Sequence, residues 1–269
     1  MNAPATPLDG VPRLSAIYRY PLESARGERL EVCGILGAGI AGDRAWAVID
    51  ETRRCLTVRE RPDLLTLSAR LAAGNLRITR PDGETLVVRE AADGTALQVR
   101  LHGREVTARL AGEEARDFLS RTLGPGLRLV RVDAQTRAGL CDTAPLRLVL
   151  EESFRALAAH CPVPLSLERF RPNLVVSGAP AWADEAWADA GVELVVGTAP
   201  MRVVDACERC AVPSDDPDTG AQEDAREPLR TLHALRGGAL RFGLLVAPVL
   251  EPAVLRVGDT VVPRLMTEA

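Results

Sequence analysis

The sequence predicts an α+β fold dominated by β-structure, and three observations carry that prediction. Short apolar or alternating runs, each closed by Gly, Pro, Asp or Asn, follow one another at close intervals through the first half. The second half interleaves such runs with amphipathic segments of helical period. Aromatic residues make up only 3% of the chain against 46% apolar, so the core is built from Leu, Val and Ala. The strand-like signals over residues 12–112 point to an all-β barrel or sandwich, and residues 113–266 read as a mixed unit in which β-structure dominates.

In the first unit the strand candidates are "LSAIYRYPL", "RLEVCGILG", "RAWAVID", "CLTVRE", "NLRITRPDGETLVV" and "REVTARL". Pro81-Asp82-Gly83 supplies the turn of a hairpin. In the second unit "EEARDFLSRTLG" reads as a helix closed by a glycine, followed by the strand "LRLVRV". "LRLVLEESFRALAAHC" passes from strand to an amphipathic helix near Glu151, and "EPLRTLHALRG" is a short helix ending on Gly237. "NLVVSG", "VELVVG", "MRVVDAC" and "LRFGLLVAPVL" are strands, and "AVLRVGDTVVP" reads as a closing strand pair. The polar stretch from Ser214 to Arg226 is a loop.

Composition excludes several functions. A net charge of −4 argues against a general nucleic-acid or anionic-membrane binder. All 33 basic residues are arginine, which rules out Schiff-base chemistry by a lysine. No apolar run is long enough to span a bilayer, and "MNAPATPLDGVPRL" lacks the basic and apolar regions of a signal peptide. Six cysteines without regular spacing do not form a disulfide framework, and the chain reads as cytoplasmic with reduced thiols.

Chemistry concentrates at "DACERCAVPSDDPDTG", where Cys207 and Cys210 bracket Arg209. A thioredoxin-like pair would open a helix after a βαβ pattern, and this pair instead follows a strand. A zinc site or an iron–sulfur cluster needs further ligands in ordered spacing; Cys33, Cys55, Cys141 and Cys161 stand alone and the three histidines are scattered. Two ordinary buried thiols remain an open alternative. The surroundings favour chemistry, because an adjacent arginine favours the thiolate. Arg44, Arg59 and Arg171 lie where strands end and can converge on an anion through planar, bidentate contacts. Together they suggest a phosphorylated ligand carrying a soft metal.

"RFRPNLVVSGAPAWADEAW", "VVDACERC", "DDPDTG" and "EPLRTL" resemble the MOSC domain, and "IYRYPLESARGERL", "GDRAWAVID" and "LTVRERP" resemble the β-barrel domain that precedes it in the amidoxime-reducing family. That resemblance implies an N-terminal β-barrel-like domain packed on a MOSC domain with a mainly β barrel and peripheral helices, and a molybdenum cofactor between the two units, with Cys210 as the metal ligand and Cys207 packed behind it. By the same resemblance Arg44, Arg59, Thr143, Arg171, Asn173, Glu208 and Arg209 line the pterin and its phosphate, with Arg44, Arg171 and Arg209 paired to the phosphate. Asp142 in "CDTAP" is implied as a proton relay or substrate-orienting group beside the metal, with a cap or turn role as the alternative. Glu23 stands where the family usually has a basic residue, and a carboxylate there would repel a phosphate unless Arg26 compensates. The implied activity is reduction of small N-hydroxylated compounds, with electrons from a separate ferredoxin- or cytochrome-type protein and its reductase. A sulfur carrier using Cys210, and a non-catalytic cofactor-binding module, are the competing readings.

Overall fold

A computed structural model describes residues 10–89, 94–101, 103–132, 144–222 and 226–265. An eight-stranded sheet runs in the spatial order 261–264, 193–196, 199–208, 241–248, 146–150, 174–177, 13–19, 28–30. Its pairs are antiparallel except 146–150 against 174–177, which run parallel. Parallel neighbours need a crossover, and the helix Glu151–His160 supplies it. The inward residues of this sheet, Leu146, Leu148, Leu174, Val176, Leu244 and Val246 among them, are fully buried in one aliphatic core.

A second sheet, ordered 46–49, 128–132, 104–110, 96–101, and a three-stranded sheet of 68–72, 75–79 and 85–88 build the other unit. The helix Glu113–Leu123 buries Ala115, Phe118, Leu119 and Leu123 into the same core as Trp46, Leu64 and Ile78. A third small sheet joins Ala253–Arg256 to Val32–Leu36 and Gly39–Ile40.

Strand pairing crosses the boundary expected at residue 112 in both directions. Arg13–Arg19 lies in the large sheet beside Leu174–Ser177, while Arg128–Val132 pairs with Trp46–Ile49. The β-dominated α+β class and most of the expected elements are present, including the hairpin around Gly83 (φ 91°). Two expectations are corrected. "AVLRVGDTVVP" does contain two strands, but they do not pair with each other: Ala253–Arg256 joins Val32–Leu36, and Val261–Arg264 joins Glu193–Val196. The turn between them is held by the first strand, which donates Leu14 N–H to Asp259 O (2.8 Å) and accepts Gly258 N–H on Leu14 O (2.7 Å). "CLTVRE" is not a strand beyond bridges at Arg54 and Cys55, because Thr57 and Glu60 bond each other and fold the segment into turns. The helix Ala183–Asp189 has no forecast in the sequence.

Candidate functional site

The strand Ala199–Glu208 carries the cysteine pair to one end of the large sheet. Its register against Arg241–Pro248 shifts between Ala206 and Glu208, so two consecutive residues, Ala206 and Cys207, are both buried. A bulge of this kind re-aims the residues after it. Pro213 then opens a short 3-10 turn, Val212–Ser214, and Cys210 is left exposed between bulge and turn.

Burial alone would push the Cys210 thiol up. The Val212 N–H, a hydrogen bond from Arg59 and the charges of Arg59 and Arg147 outweigh it, and the thiol lies below its ordinary value. Cys33 and Cys55 show the opposite case, with burial raising them to about 11 and about 12. Among the described residues Cys210 is therefore the thiol prepared to ionise.

Cys210 lines a cavity of about 280 Å³ between the two units, just below the usual range of small-molecule sites, roughly 300–1,000 Å³. Among the described residues six arginines line it against three acids: Arg44, Arg59, Arg147, Arg169, Arg171 and Arg209 against Glu23, Asp43 and Glu208. Apolar walls come from Val58, Leu101, Phe170, Val212 and Leu245. Ser24, Arg44 and Arg171 hold φ of 67°, 49° and 49°. Left-handed backbone is uncommon for such residues and clusters where a site requires it.

The arginines differ in what they contact. Arg171 is buried over the Tyr20 ring (4.4 Å) and donates to Ala25 O (2.8 Å). Burial, then the neighbouring Arg44 cation, pulls its pKa down. Arg44 also lies over Tyr20 (5.1 Å) and is bonded to Asp43, with Glu23 at 3.8 Å. Arg169 pairs with Asp216 (2.8 Å), which ties the "DDPDTG" loop to the wall. Two buried guanidinium nitrogens in this wall, Arg169 Nε and Arg171 Nη2, have no hydrogen-bond partner among the described residues. Arg209 donates to Phe242 O from Nε (2.8 Å) and Nη2 (2.5 Å) and to Phe170 O from Nη1 (2.9 Å).

Of the residues singled out in the sequence, Arg44, Arg59, Arg171, Glu208, Arg209 and Cys210 meet at the cavity, with Cys207 buried in its wall. Glu23 also lines it. Asn173 is fully buried behind the wall: its Oδ1 accepts Arg147 N–H (3.2 Å) and Arg44 Nη1 (3.5 Å), and its Nδ2 donates to Asp43 (3.2 Å) and Tyr18 O (3.3 Å). Arg26 bonds Asp218 (2.6 Å) and does not line the cavity. Asp142 and Thr143 lie outside the described residues.

Sequence reasoning missed Ser24, Asp43, Arg147 and Arg169. Arg147 had a signal: it is the one charge in "LRLVL", and strand alternation turns it away from the core that holds Leu146 and Leu148. Asp43 had none, because its partners Tyr20 N–H (2.7 Å) and Asn173 come from segments distant in sequence.

An exposed thiol of lowered pKa lies beside an arginine-rich cavity between two β-units, a donor set whose chemistry suits an anionic ligand with a soft centre. Comparison with known proteins places it further. Residues 11–126 match the MOSC N-terminal beta barrel domain and residues 135–262 match the MOSC domain. The chain is 30% identical to mitochondrial amidoxime reducing component 2 of Rattus norvegicus, over 85% of this chain and 74% of that protein. It is 29% identical to mitochondrial amidoxime-reducing component 1 of Mus musculus, over 94% and 83%. Molybdenum cofactor sulfurase of Danio rerio matches at 27% over 94% of this chain but 34% of its own length. The YUAD protein from Bacillus subtilis aligns over 93% of this chain and 94% of its own at 13% identity with a TM-score of 0.44, too slight a likeness to carry an argument. The chain belongs to the MOSC-domain family with an N-terminal MOSC β-barrel domain.

Proposed function

We propose that this protein binds a molybdenum cofactor through Cys210 and reduces small N-hydroxylated compounds with electrons from a separate protein. The observation that carries the reading is the pairing of an ionisation-prone, exposed thiol with an arginine-lined cavity.

The residues fit such a group. A soft metal takes a thiolate, and Cys210 is the described thiol whose surroundings favour that form. An anionic pterin phosphate takes guanidinium donors, and Arg44, Arg147 and Arg171 line the cavity. Arg169 Nε and Arg171 Nη2, unpartnered among the described residues, mark a wall with more donors than those residues satisfy. Glu23 is a discordant group, and its distance of 3.8 Å from Arg44 means that part of its charge is already countered.

When bound, the cofactor supplies two-electron redox chemistry at molybdenum. The chain's own residues supply the rest. Cys210 would hold the metal, and the Val212 N–H and Arg59 lower the pKa of its sulfur. Arg209 braces the cavity wall: its donors go to Phe170 and Phe242 carbonyls, and it sits against both rings at 5.5 and 5.7 Å. Asn173 and Asp43 fix Arg44 from behind. Val58, Leu101 and Val212 give the cavity apolar walls. Reduction of R–NH–OH to R–NH2 and water consumes two electrons and two protons. Asp142 is the proposed proton carrier, and the rest of the family resemblance assigns Thr143 and Glu208 to cofactor contact.

The test supplies benzamidoxime and a chemical reductant to protein purified from cells that make the cofactor, and measures benzamidine. Formation of benzamidine at a rate abolished in Cys210→Ala is expected. Stoichiometric molybdenum with no turnover would leave a cofactor-binding module, and a labile sulfur on Cys210 with no metal would leave a sulfur carrier.

A further inference from the structure

Arg209 raises a question that the cavity does not answer. Its guanidinium is buried, yet among the described residues no carboxylate lies within 4.0 Å of it. A buried cation without a counter-charge is costly, and proteins avoid it.

The counter-charge sits one peptide away. Arg209 Nε and Nη2 donate to the carbonyl of Phe242. The N–H of the same peptide unit, on Gly243, donates to Asp184 Oδ2 at 2.9 Å. Asp184 is 1% exposed. Its other oxygen accepts the Ser153 hydroxyl (3.3 Å), and Ser153 in turn accepts Trp182 N–H (2.8 Å). A peptide bonded by a cation at its oxygen and an anion at its nitrogen is polarised from both ends, which strengthens each bond. Glycine is required at this position: φ is +80°, and a Cβ would stand 2.4 Å from Leu148 O and 3.3 Å from Arg209 Nη2.

We propose that Asp184 is the counter-charge of Arg209, acting through the Phe242–Gly243 peptide, and so a positioning residue for the turn that carries Cys210. Arg209 is anchored on both sides of its Cα: the main-chain N–H bonds Leu240 O (2.8 Å) and the side chain bonds Phe242 and Phe170. Cys210 is the next residue. Its place at the cavity therefore depends on a carboxylate that belongs to the helix Ala183–Asp189 and does not line the cavity. The charge linkage stands by itself; its consequence for metal binding rests on the function proposed above.

The test is a double-mutant cycle on the full-length chain, read by urea unfolding. Asp184→Asn keeps the shape and the acceptor for Gly243 N–H but removes the charge. Arg209→Gln removes the cation. The effect of Asp184→Asn on the unfolding equilibrium is expected to be about tenfold smaller in the Arg209→Gln background than in the wild type. Equal effects in the two backgrounds overturn the linkage. If Asp184→Asn alone does not fold, the double variant is expected to recover a cooperative transition, and its failure to do so overturns the linkage as well. A second readout separates positioning from general stability. Molybdenum per chain is compared between Asp184→Asn and Leu157→Ala, a core variant on the helix Glu151–His160. Lower metal in Asp184→Asn at matched stability supports positioning, and equal metal overturns it. A wild-type protein that binds no metal refutes the proposed function while leaving the cycle readable.

Discussion

Gly243 offers the sharpest test of the local geometry. Its substitution by alanine meets two penalties that can be separated. The backbone φ of +80° lies in the left-handed region, which costs a residue with a Cβ about 1–2 kcal/mol. The new methyl group would also stand 2.4 Å from Leu148 O and 3.0 Å from Val149 Cγ2. Leu148 O belongs to the central strand 146–150, paired on both sides, so it has little room to withdraw. Overpacking of this kind adds about 1–3 kcal/mol, giving about 2–5 kcal/mol in all. Gly238 is the control: its φ is +102°, but the nearest atom to a built Cβ is the flexible end of His233 at 3.7 Å. Gly238→Ala is expected to lose only the backbone share, about 1–2 kcal/mol. Urea unfolding of both variants, with the slope compared to the wild type, measures the difference. A Gly243→Ala variant no less stable than Gly238→Ala would refute the close approach of the two strands.

Asn173→Ala strips partners from Asp43, Arg147 N–H and the Tyr18 carbonyl inside the fold, and a loss of about 2–4 kcal/mol by urea unfolding is expected. Cys33 and Cys55 ionise near 9.0 when unfolded but only at about 11 and about 12 when folded. Their folded values are raised, so the stability they contribute is complete below pH 9 and is lost as pH rises toward 11 and 12. Unfolding free energy measured between pH 8 and pH 10.5 should therefore fall, and the fall should be smaller in Cys55→Ala relative to its own value at pH 8. Glu23→Gln removes a carboxylate 3.8 Å from Arg44 and is expected to raise molybdenum retained per chain; unchanged retention would place Glu23 beyond reach of the bound anion.

How far the sequence disclosed this arrangement depends on the range of each interaction. The helices Glu113–Leu123 and Glu151–His160 follow from local periodicity and were legible. The pairing of Arg13–Arg19 with Leu174–Ser177 was not, because nothing local in either strand specifies a neighbour about 160 residues away. The same holds within the site. Cys210 announces itself by its spacing from Cys207 and by Arg209. Arg209 reads as an anion contact, yet its donors meet Phe170 and Phe242 carbonyls, which only the folded chain brings to it. Asn173 reads as a ligand contact for the same reason and lies behind the wall. The short helix Ala183–Asp189 begins at Trp182, a left-handed residue with no capping side chain, so no start signal marks it.

The proposed chemistry rests on the Cys210 sulfur as the anchor of a metal. Molybdenum and pterin measured per chain, in the wild type, Cys210→Ala and Cys207→Ala purified from a cofactor-producing host, test that most directly. Near-stoichiometric metal in the wild type and Cys207→Ala, with none in Cys210→Ala, is the predicted result. Metal retained without the Cys210 sulfur, or absent from all three proteins, would contradict it.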